Sequence, residues 1–381
     1  MKDHSHPHRQ SANHDHAHAH PLDPAHPLDH VHPHEQSADH DHIHPHESRG
    51  SGIYRRSILS AGGLGLGALL LAACTSTVNS SGAVSAATAM PSSTATPGSA
   101  TPGAATSSGG LSGFDEFAST VRTFISGDYW MVESTGLPAH NMMVGITSWQ
   151  QQFPLPQRFS GTNAFQLPMN PVLADTPVSA RTGLFRGAIA LAVNGVPIFN
   201  ALNNRGDDAF KAGELDEWGG HCGKADDYHY HVAPLHLQTT VGHAKPIAYA
   251  LDGYALYGSL EPDGSALLPL DDYNGHTDSA GKYHSHGTIT YPYINGGLKG
   301  KVTISQGGIE PQPVTKPMRA PGEPLRGAVI TMFETIAAGS YRLTYTLNGH
   351  SYRVTYQVTE KSVNFTFTDA AGNSRTETYE R

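Results

Sequence analysis

Six histidines fall into two sets with the same spacing. Residues 215–231 read LDEWGGHCGKADDYHYH and residues 270–286 read LDDYNGHTDSAGKYHSH, and the two segments align without a gap at an offset of 55, with eight of seventeen positions identical. The identical positions include every histidine of the two segments, which are His221, His229, His231, His276, His284 and His286. This agreement in register indicates an internal duplication.

The spacing of these histidines suits a metal ion. Residues two apart on a β-strand point to the same face, about 6.6 Å apart, so His229 and His231 share one face and His284 and His286 share another. A third imidazole arrives from the preceding turn in each copy. Three imidazoles suit Zn, Cu or non-haem Fe, with Zn and Cu the leading candidates, and an open fourth position would make such a site catalytic.

Carboxylates accompany both sets. Asp216 and Glu217, and likewise Asp271 and Asp272, are expected either to accept hydrogen bonds from the imidazoles and fix their tautomers, or to be ligands themselves. Cys222 follows the first histidine, but Thr277 stands at the matching position, so a thiolate ligand would belong to one half only. The alternative to a metal site is a hydrogen-bonded network of Tyr and His that stabilises a β-rich core.

A second similarity precedes each set of histidines. Residues 194–200 read NGVPIFN and residues 252–258 read DGYALYG, which extends the repeated unit to 193–234 and 251–288. Short apolar runs punctuated by Gly, Pro and Asn predict strands joined by loops. We therefore expect a mainly β fold, with residues 113–318 forming a pseudo-symmetric duplicated β sandwich or barrel. One shared metal site and two separate sites are both compatible with the duplication.

Individual elements can also be predicted. The spacing of apolar residues over Phe114–Gly127 predicts a short amphipathic helix, and the runs 142–147 and 185–193 predict strands. In residues 319–381, apolar and polar residues alternate on either side of Asn348-Gly349, a dipeptide typical of hairpin turns. This segment is predicted to be an antiparallel β-meander with one buried face.

The segment 54–74 has the features of an export signal. Arg55-Arg56 precedes a short, glycine-rich apolar run that ends in Leu71-Ala72-Ala73-Cys74, a sequence that resembles the lipobox of bacterial lipoproteins. We expect the twin-arginine export machinery to carry the protein and Cys74 to be lipidated. The Ser/Thr/Pro/Gly tract 75–112 would be a flexible spacer, and the folded part would lie on the outer face of the cytoplasmic membrane or in the periplasm.

Residues 1–53 form a histidine-rich head. Fifteen of the 25 histidines lie within the first fifty residues, where aliphatic residues are scarce, so this segment is not expected to fold on its own core. It precedes the signal and would be separated from the domain by cleavage at Cys74. Two interpretations stay open: an extended, disordered signal head, or a buffer that chelates metal and loads the domain before export.

Charge and cysteine content exclude some functions. The net charge is −9, and no run of Lys and Arg with interleaved aromatic residues is present in the sequence, so nucleic acid is not expected as a partner. The chain has two cysteines, and lipidation of Cys74 would leave Cys222 without a disulfide partner.

Several of these motifs together are similar to one family. DDYHYHVAP at 226–234, with GVPIFN, GELDEWGGHC, ALDGYALYG and NGHTD in order, resembles the YHYH domain family of exported proteins over roughly residues 128–300. Ser285 departs from the family pattern in the second copy. The resemblance implies domain identity and export, and it implies no reaction. We expect an exported metal-binding protein, with two alternatives: a metalloenzyme at the same site (a Zn hydrolase or a Cu or Fe oxidoreductase), or a surface-binding module with structural histidines.

Overall fold

A computed structural model describes residues 110–381 of the chain. The histidine-rich head, the export signal with Cys74, and the spacer up to residue 109 lie outside the described residues. Within the described part, no helix is long and apolar enough to cross a membrane. The described residues are mainly β-strand, as predicted from the sequence.

The first sheet contradicts the helix predicted over Phe114–Gly127. A 3₁₀ helix spans only Phe114–Phe117, and it is followed by the strands β1 (Arg122–Ser126), β2 (Tyr129–Glu133) and β3 (Phe165–Pro168), which form a three-stranded sheet in that order. The prediction was wrong because Gly127, with φ +58°, turns the chain so that β1 pairs along its length with β2. A second 3₁₀ helix spans Gly161–Asn163.

The predicted strand over 142–147 is also absent from the described residues. This segment is a loop whose apolar residues Met142, Met143 and Ile146 are buried. Its amides bond elsewhere: the Met143 amide donates to Asp216 Oδ2 (2.8 Å) and the Gly145 amide donates to the carbonyl of Ile330 (2.8 Å). The run 185–193 does contain a strand, β5, at Ala188–Ala192.

The duplicated region forms one open eight-stranded sheet. Its other strands are β6 (Pro197–Phe199), β7 (Gly220–Cys222), β8 (Tyr228–Tyr230), β9 (Ala248–Ala250), β10 (Ala255–Tyr257), β11 (Gly275–Thr277) and β12 (Tyr283–His286). The strand order is β11-β12-β10-β9-β5-β6-β8-β7, so β11 and β7 are edges and no closed barrel forms. A 3₁₀ helix (Leu235–Leu237) and the helix α1 (Gln238–Val241) connect the two halves along the chain.

The strand order shows the expected pseudo-symmetry. β5 and β9 pair antiparallel at the centre, and each half continues outward with the same pairing directions. β6 lies parallel to β8, with Ile198 opposite Tyr230, and β10 lies parallel to β12, with Leu256 opposite Ser285. The repeated positions are thus 58 residues apart in the inner strands and 55 apart in the outer hairpins, because the second connecting loop is shorter by three residues.

Smaller elements complete the region before the meander. β4 (Leu173–Ser179) pairs antiparallel with β13 (Gly297–Gly300), and β14 (Thr303–Ser305) pairs antiparallel with β15 (Gly308–Glu310).

The predicted C-terminal meander is confirmed. It is a five-stranded antiparallel sheet in sequence order, made of β16 (Val329–Ala337), β17 (Ser340–Leu347), β18 (His350–Val358), β19 (Ser362–Thr368) and β20 (Ser374–Glu380). Its buried face shares one hydrophobic core with the central sheet. Arg319 ties the two together, since its guanidinium donates to both carboxylate oxygens of Asp226 at 2.7 and 2.8 Å.

Candidate metal centres

Two hairpins at opposite edges of the central sheet bring the histidines together. In the first, His221 on β7 lies directly opposite His229 on β8, and His231 follows two residues later on the same face. In the second, His276 on β11 lies opposite His284 on β12, followed by His286. The structure therefore holds two separate clusters, one at each edge, and the duplication does not converge on a shared site.

We call the first cluster site A. Its members are His221, His229 and His231, and one ring nitrogen of each lies within 4.8 Å of the others. His231 Nε2 is 3.1 Å from His229 Nε2 and 3.0 Å from His221 Nε2. Two nitrogen ligands of a tetrahedral Zn²⁺ ion are separated by about 3.3 Å, so the spacing suits a shared cation.

The tautomers of two site A histidines suit a shared cation. His229 Nδ1 donates to the carbonyl of Asp227 (2.9 Å) and His231 Nδ1 donates to the carbonyl of Asn200 (2.5 Å). A carbonyl only accepts, so each neutral ring carries its proton on Nδ1 and presents a bare lone pair at Nε2. Two lone pairs facing each other at 3.1 Å repel unless a proton or a metal ion lies between them, and burial disfavours the protonated ring.

We call the second cluster site B. It contains His276, His284 and His286 and, in addition, the carboxylate of Glu261. Glu261 Oε1 is 3.2 Å from His276 Nε2, and Glu261 Oε2 is 3.5 Å from His284 Nε2 and 3.6 Å from His286 Nε2. His284 Nε2 is buried and has no hydrogen-bond partner among the described residues. A buried nitrogen without a hydrogen-bond partner, close to a carboxylate and two imidazoles, fits a metal-binding position.

Glu261 was not predicted from the sequence. Its loop is pinned by a bridge between Leu260 and Ala266, and the loop of the first half is pinned by the equivalent bridge between Leu202 and Asp208. Both bridges obey the 58-residue offset, which places Asn203 where the second half has Glu261. The signal was present in the sequence as Leu202 matching Leu260 and Gly206 matching Gly264 at the inner offset.

Burial favours the neutral form of the three site A rings and of His286 in site B. Burial, reinforced by His231, lowers the pKa of His221 to about 3, and burial also lowers the pKa of His229 and of His231. In site B, burial lowers the pKa of His286 to about 4 although nearby acceptors oppose it. Neutral imidazole is the form that binds metal, so these four rings are in the metal-binding form at pH 7.

The carboxylate of site B is ionised. Burial raises the pKa of Glu261, but the Leu268 amide, which donates to Oε1 at 2.9 Å, and the neighbouring histidines lower the pKa by more, so it lies below its usual value. Site B therefore combines three ring nitrogens with one negative oxygen, a donor set that Zn²⁺ accepts.

The predicted carboxylate partners of the histidines lie elsewhere. Asp216 Oδ2 accepts from the Tyr228 hydroxyl (2.8 Å), and Asp271 Oδ1 accepts from the Tyr283 hydroxyl (3.1 Å). Each of these aspartates also accepts backbone amides of the turn before its hairpin. Glu217 and Asp272 are exposed. Within residues 110–381, the hydrogen bonds that fix the tautomers come from backbone carbonyls, because tyrosine hydroxyls and turn amides occupy the aspartates.

Aromatic rings and backbone carbonyls support the two sites in equivalent ways. Phe199 stacks on His229 with ring centroids 3.9 Å apart, and Tyr257, at the equivalent position, contacts His284 edge-on at 5.3 Å. His286 Nδ1 donates to the carbonyl of Gly258 (3.1 Å), as His231 donates to the equivalent Asn200.

Three residues outside the histidine sets lie on the other side of β8 from site A. The Tyr230 hydroxyl is 2.7 Å from His140 Nε2 and accepts from Asn194 Nδ2 (3.0 Å). This contact accounts for the position of His140. The second half has Ser285 at the position of Tyr230, so it has no tyrosine hydroxyl there. Cys222 belongs to the hydrophobic core, where burial raises the pKa of its thiol, so it is not placed as a ligand.

A pocket gives access to site A. It has a volume of about 440 Å³, and its lining includes the rings of His221, His229 and His231. Next to site B, a cavity of about 480 Å³ is bordered by His276, while Glu261, His284 and His286 are not among its described lining residues. The pocket at site A is thus lined by all three of its histidines, whereas the cavity beside site B is lined by one.

The geometry defines a mainly β protein with a duplicated histidine hairpin. The model of the YHYH protein family matches residues 164–266, so the chain carries a YHYH-family domain, and the resemblance seen in the sequence is confirmed over this range. The match includes site A and Glu261 and ends before His276. No curated protein and no solved structure matches the chain.

Proposed function

We propose that the described part of the chain binds two transition-metal ions, one at site A and one at site B. The observation that carries this proposal is the pair of bare Nε2 lone pairs of His229 and His231, which face each other at 3.1 Å in site A. In site B the ring nitrogens lie beside the Glu261 carboxylate, and His284 Nε2 has no hydrogen-bond partner among the described residues. A hydrogen-bonded Tyr/His network accounts for this less well, because nitrogens that both accept cannot bond to each other. The donor sets favour Zn or Cu.

We further propose that the protein is exported and held at a membrane by a lipid on Cys74. The support is the sequence alone: paired arginines, a short apolar run, and a cysteine in a lipobox-like context before a Ser/Thr-rich spacer. A Cys74→Ser variant is expected to leave the membrane fraction, whereas the parent chain stays in it. Equal membrane association of both chains would contradict the lipid anchor.

Metal stoichiometry tests the central proposal. Elemental mass spectrometry is applied to the full chain, to a site A variant (His229→Ala/His231→Ala), to a site B variant (His284→Ala/His286→Ala) and to a chain with all four changes. The head is the same in every chain, so its metal cancels in the differences. We expect each pair of substitutions to remove about one equivalent of Zn or Cu.

A matched control separates metal loss from unfolding. His243→Ala changes a histidine outside both clusters and is expected to keep the full metal content. Circular dichroism of all five chains reports whether the β fold persists. Unchanged metal content in the chain with all four substitutions, with the fold intact, would contradict the proposal.

A further inference from the structure

Sites A and B are equivalent in position but differ in one donor. In site B, the Glu261 carboxylate lies within 3.6 Å of all three ring nitrogens. At the equivalent position of site A stands Asn203, whose Oδ1 accepts from the amides of Arg205 (2.9 Å) and Asp207 (3.1 Å). The amide of Asn203 is therefore occupied within its own loop and brings no negative charge to the histidines.

Two carboxylates near site A are not among its donor atoms. Asp227 is 4.0 Å from His229 Nδ1, the nitrogen that carries the proton, and Glu214 is bonded to other groups. Glu214 accepts from Asn203 Nδ2 at 3.3 Å on both oxygens and forms an ion pair with Arg205. It is not part of the group of donor atoms at site A, which consists of three histidines. A Zn²⁺ ion held by three protein ligands takes its fourth ligand from solvent or substrate.

The pocket at site A has the charge to attract an anion. Besides the three histidines, its lining includes Arg186, Arg205 and Lys224, with Glu214 as the one acidic residue among the described lining residues. Glu214 is neutralised by its ion pair with Arg205. Arg186 and Lys224 then leave the lining of this pocket positive on balance, before the charge of any metal is counted.

We propose that site A binds a small oxyanion, a carboxylate or a phosphate, at the fourth position of its metal, whereas Glu261 fills that position in site B. This inference rests on the proposed metal binding. The step is a ligand exchange, in which an oxygen of the anion replaces a water molecule and no electron is transferred. Site A is then the reactive centre and site B the closed one.

Cobalt spectroscopy tests the difference between the sites. The full chain carrying His284→Ala/His286→Ala retains only site A, and the chain carrying His229→Ala/His231→Ala retains only site B. Each is loaded with Co²⁺ and titrated with acetate and, separately, with inorganic phosphate, with the chain lacking both sites as the blank. We expect a saturable change in the visible spectrum of the site A chain, at concentrations at least tenfold below any change in the site B chain.

Exchanging the differing residue provides the decisive variants. Asn203→Glu in the site A chain is expected to weaken the anion response at least tenfold, and Glu261→Asn in the site B chain is expected to create one. If Asn203→Glu fails to fold, Glu261→Asn still tests the proposal. Co²⁺ bound to both chains with equal anion responses, or with none, would overturn it. No Co²⁺ above the blank in either chain would instead overturn the proposed metal binding.

Discussion

The two edges of the central sheet carry the same arrangement of histidines, so site A and site B can be compared directly. Each edge has a hairpin with three histidines. At each edge the last imidazole of the motif donates a hydrogen bond to a backbone carbonyl, and the hydroxyl of the first tyrosine donates one to an aspartate. The residues concerned are Asn200 and Gly258, Tyr228 and Tyr283, and Asp216 and Asp271. These hydrogen bonds around the imidazoles occur in both halves, so we infer that both sites require them.

The differences lie in the groups that surround this common support. Site B has Glu261 beside its histidines, whereas site A has Asn203 and a pocket. Tyr230 is bonded to His140 in the first half, and Ser285 takes its place in the second. The comparison indicates that the histidines set where a metal would be held, and that residue 203 or 261 sets whether its coordination is complete.

Removing the carboxylate should have the largest effect on this comparison. Glu261→Gln takes a negative oxygen away from site B, so we expect its metal affinity to fall by at least about tenfold. Glu214→Gln is the matched change near site A and should weaken metal binding less, since that carboxylate lies outside the donor set. Competition with a chromophoric chelator in the single-site chains measures both. Equal losses in the two chains would remove the distinction between the sites.

The stability of the metal-free chain should depend on pH in a defined direction. His221 and His286 have folded-state pKa values of about 3 and about 4, against about 6.5 in an unfolded chain. The unfolded state binds more protons between these values, so the free energy of unfolding should fall as the pH falls from about 6.5 towards about 4 and then about 3. Urea unfolding of the metal-free chain at pH 7.5 and pH 5 measures this effect.

The two sites should contribute unequally to that pH dependence. Burial lowers the pKa of both substituted histidines at site A, His229 and His231, and it lowers the pKa of His286 at site B. The substitutions at site A should therefore flatten the pH dependence more than those at site B. A metal-free chain that becomes more stable as the pH falls from 6.5 to 5 would contradict the assignment of neutral, buried rings.

The smallest expected effect concerns the aromatic neighbours. Phe199 stacks face to face on His229, whereas Tyr257 meets His284 edge-on. Phe199→Leu should therefore loosen the orientation of a site A ligand and lower its metal affinity a few-fold, and Tyr257→Leu should change site B less. Chelator competition in the single-site chains distinguishes the two, and a larger effect at Tyr257 would show that stacking does not orient the ligand.

Much of this architecture follows from local sequence patterns. Alternating apolar residues around Asn348-Gly349 specify the meander, and both turn residues have positive φ, as a tight hairpin requires. The H-x-H spacing places two imidazoles on one face of a strand, and the duplication predicts a second set of histidines. These features depend on near neighbours in the chain, so they can be predicted without knowledge of the fold.

Other features depend on contacts distant in sequence. The sheet is open because parallel pairing of β6 with β8 and of β10 with β12 places both histidine hairpins at its edges. Glu261 reaches site B only because its loop returns over β12, and the three-residue difference between the two loops hides its equivalence to Asn203. Asp216 and Asp271 lie close to histidines in the sequence, yet they accept hydrogen bonds from tyrosine hydroxyls.

Anomalous X-ray diffraction from crystals of the full chain grown with Zn²⁺, recorded on either side of the zinc absorption edge, tests the central claim most directly. We expect one anomalous peak among His221, His229 and His231 and a second among Glu261, His276, His284 and His286. Full-occupancy zinc elsewhere in residues 110–381, with both clusters empty, would contradict it.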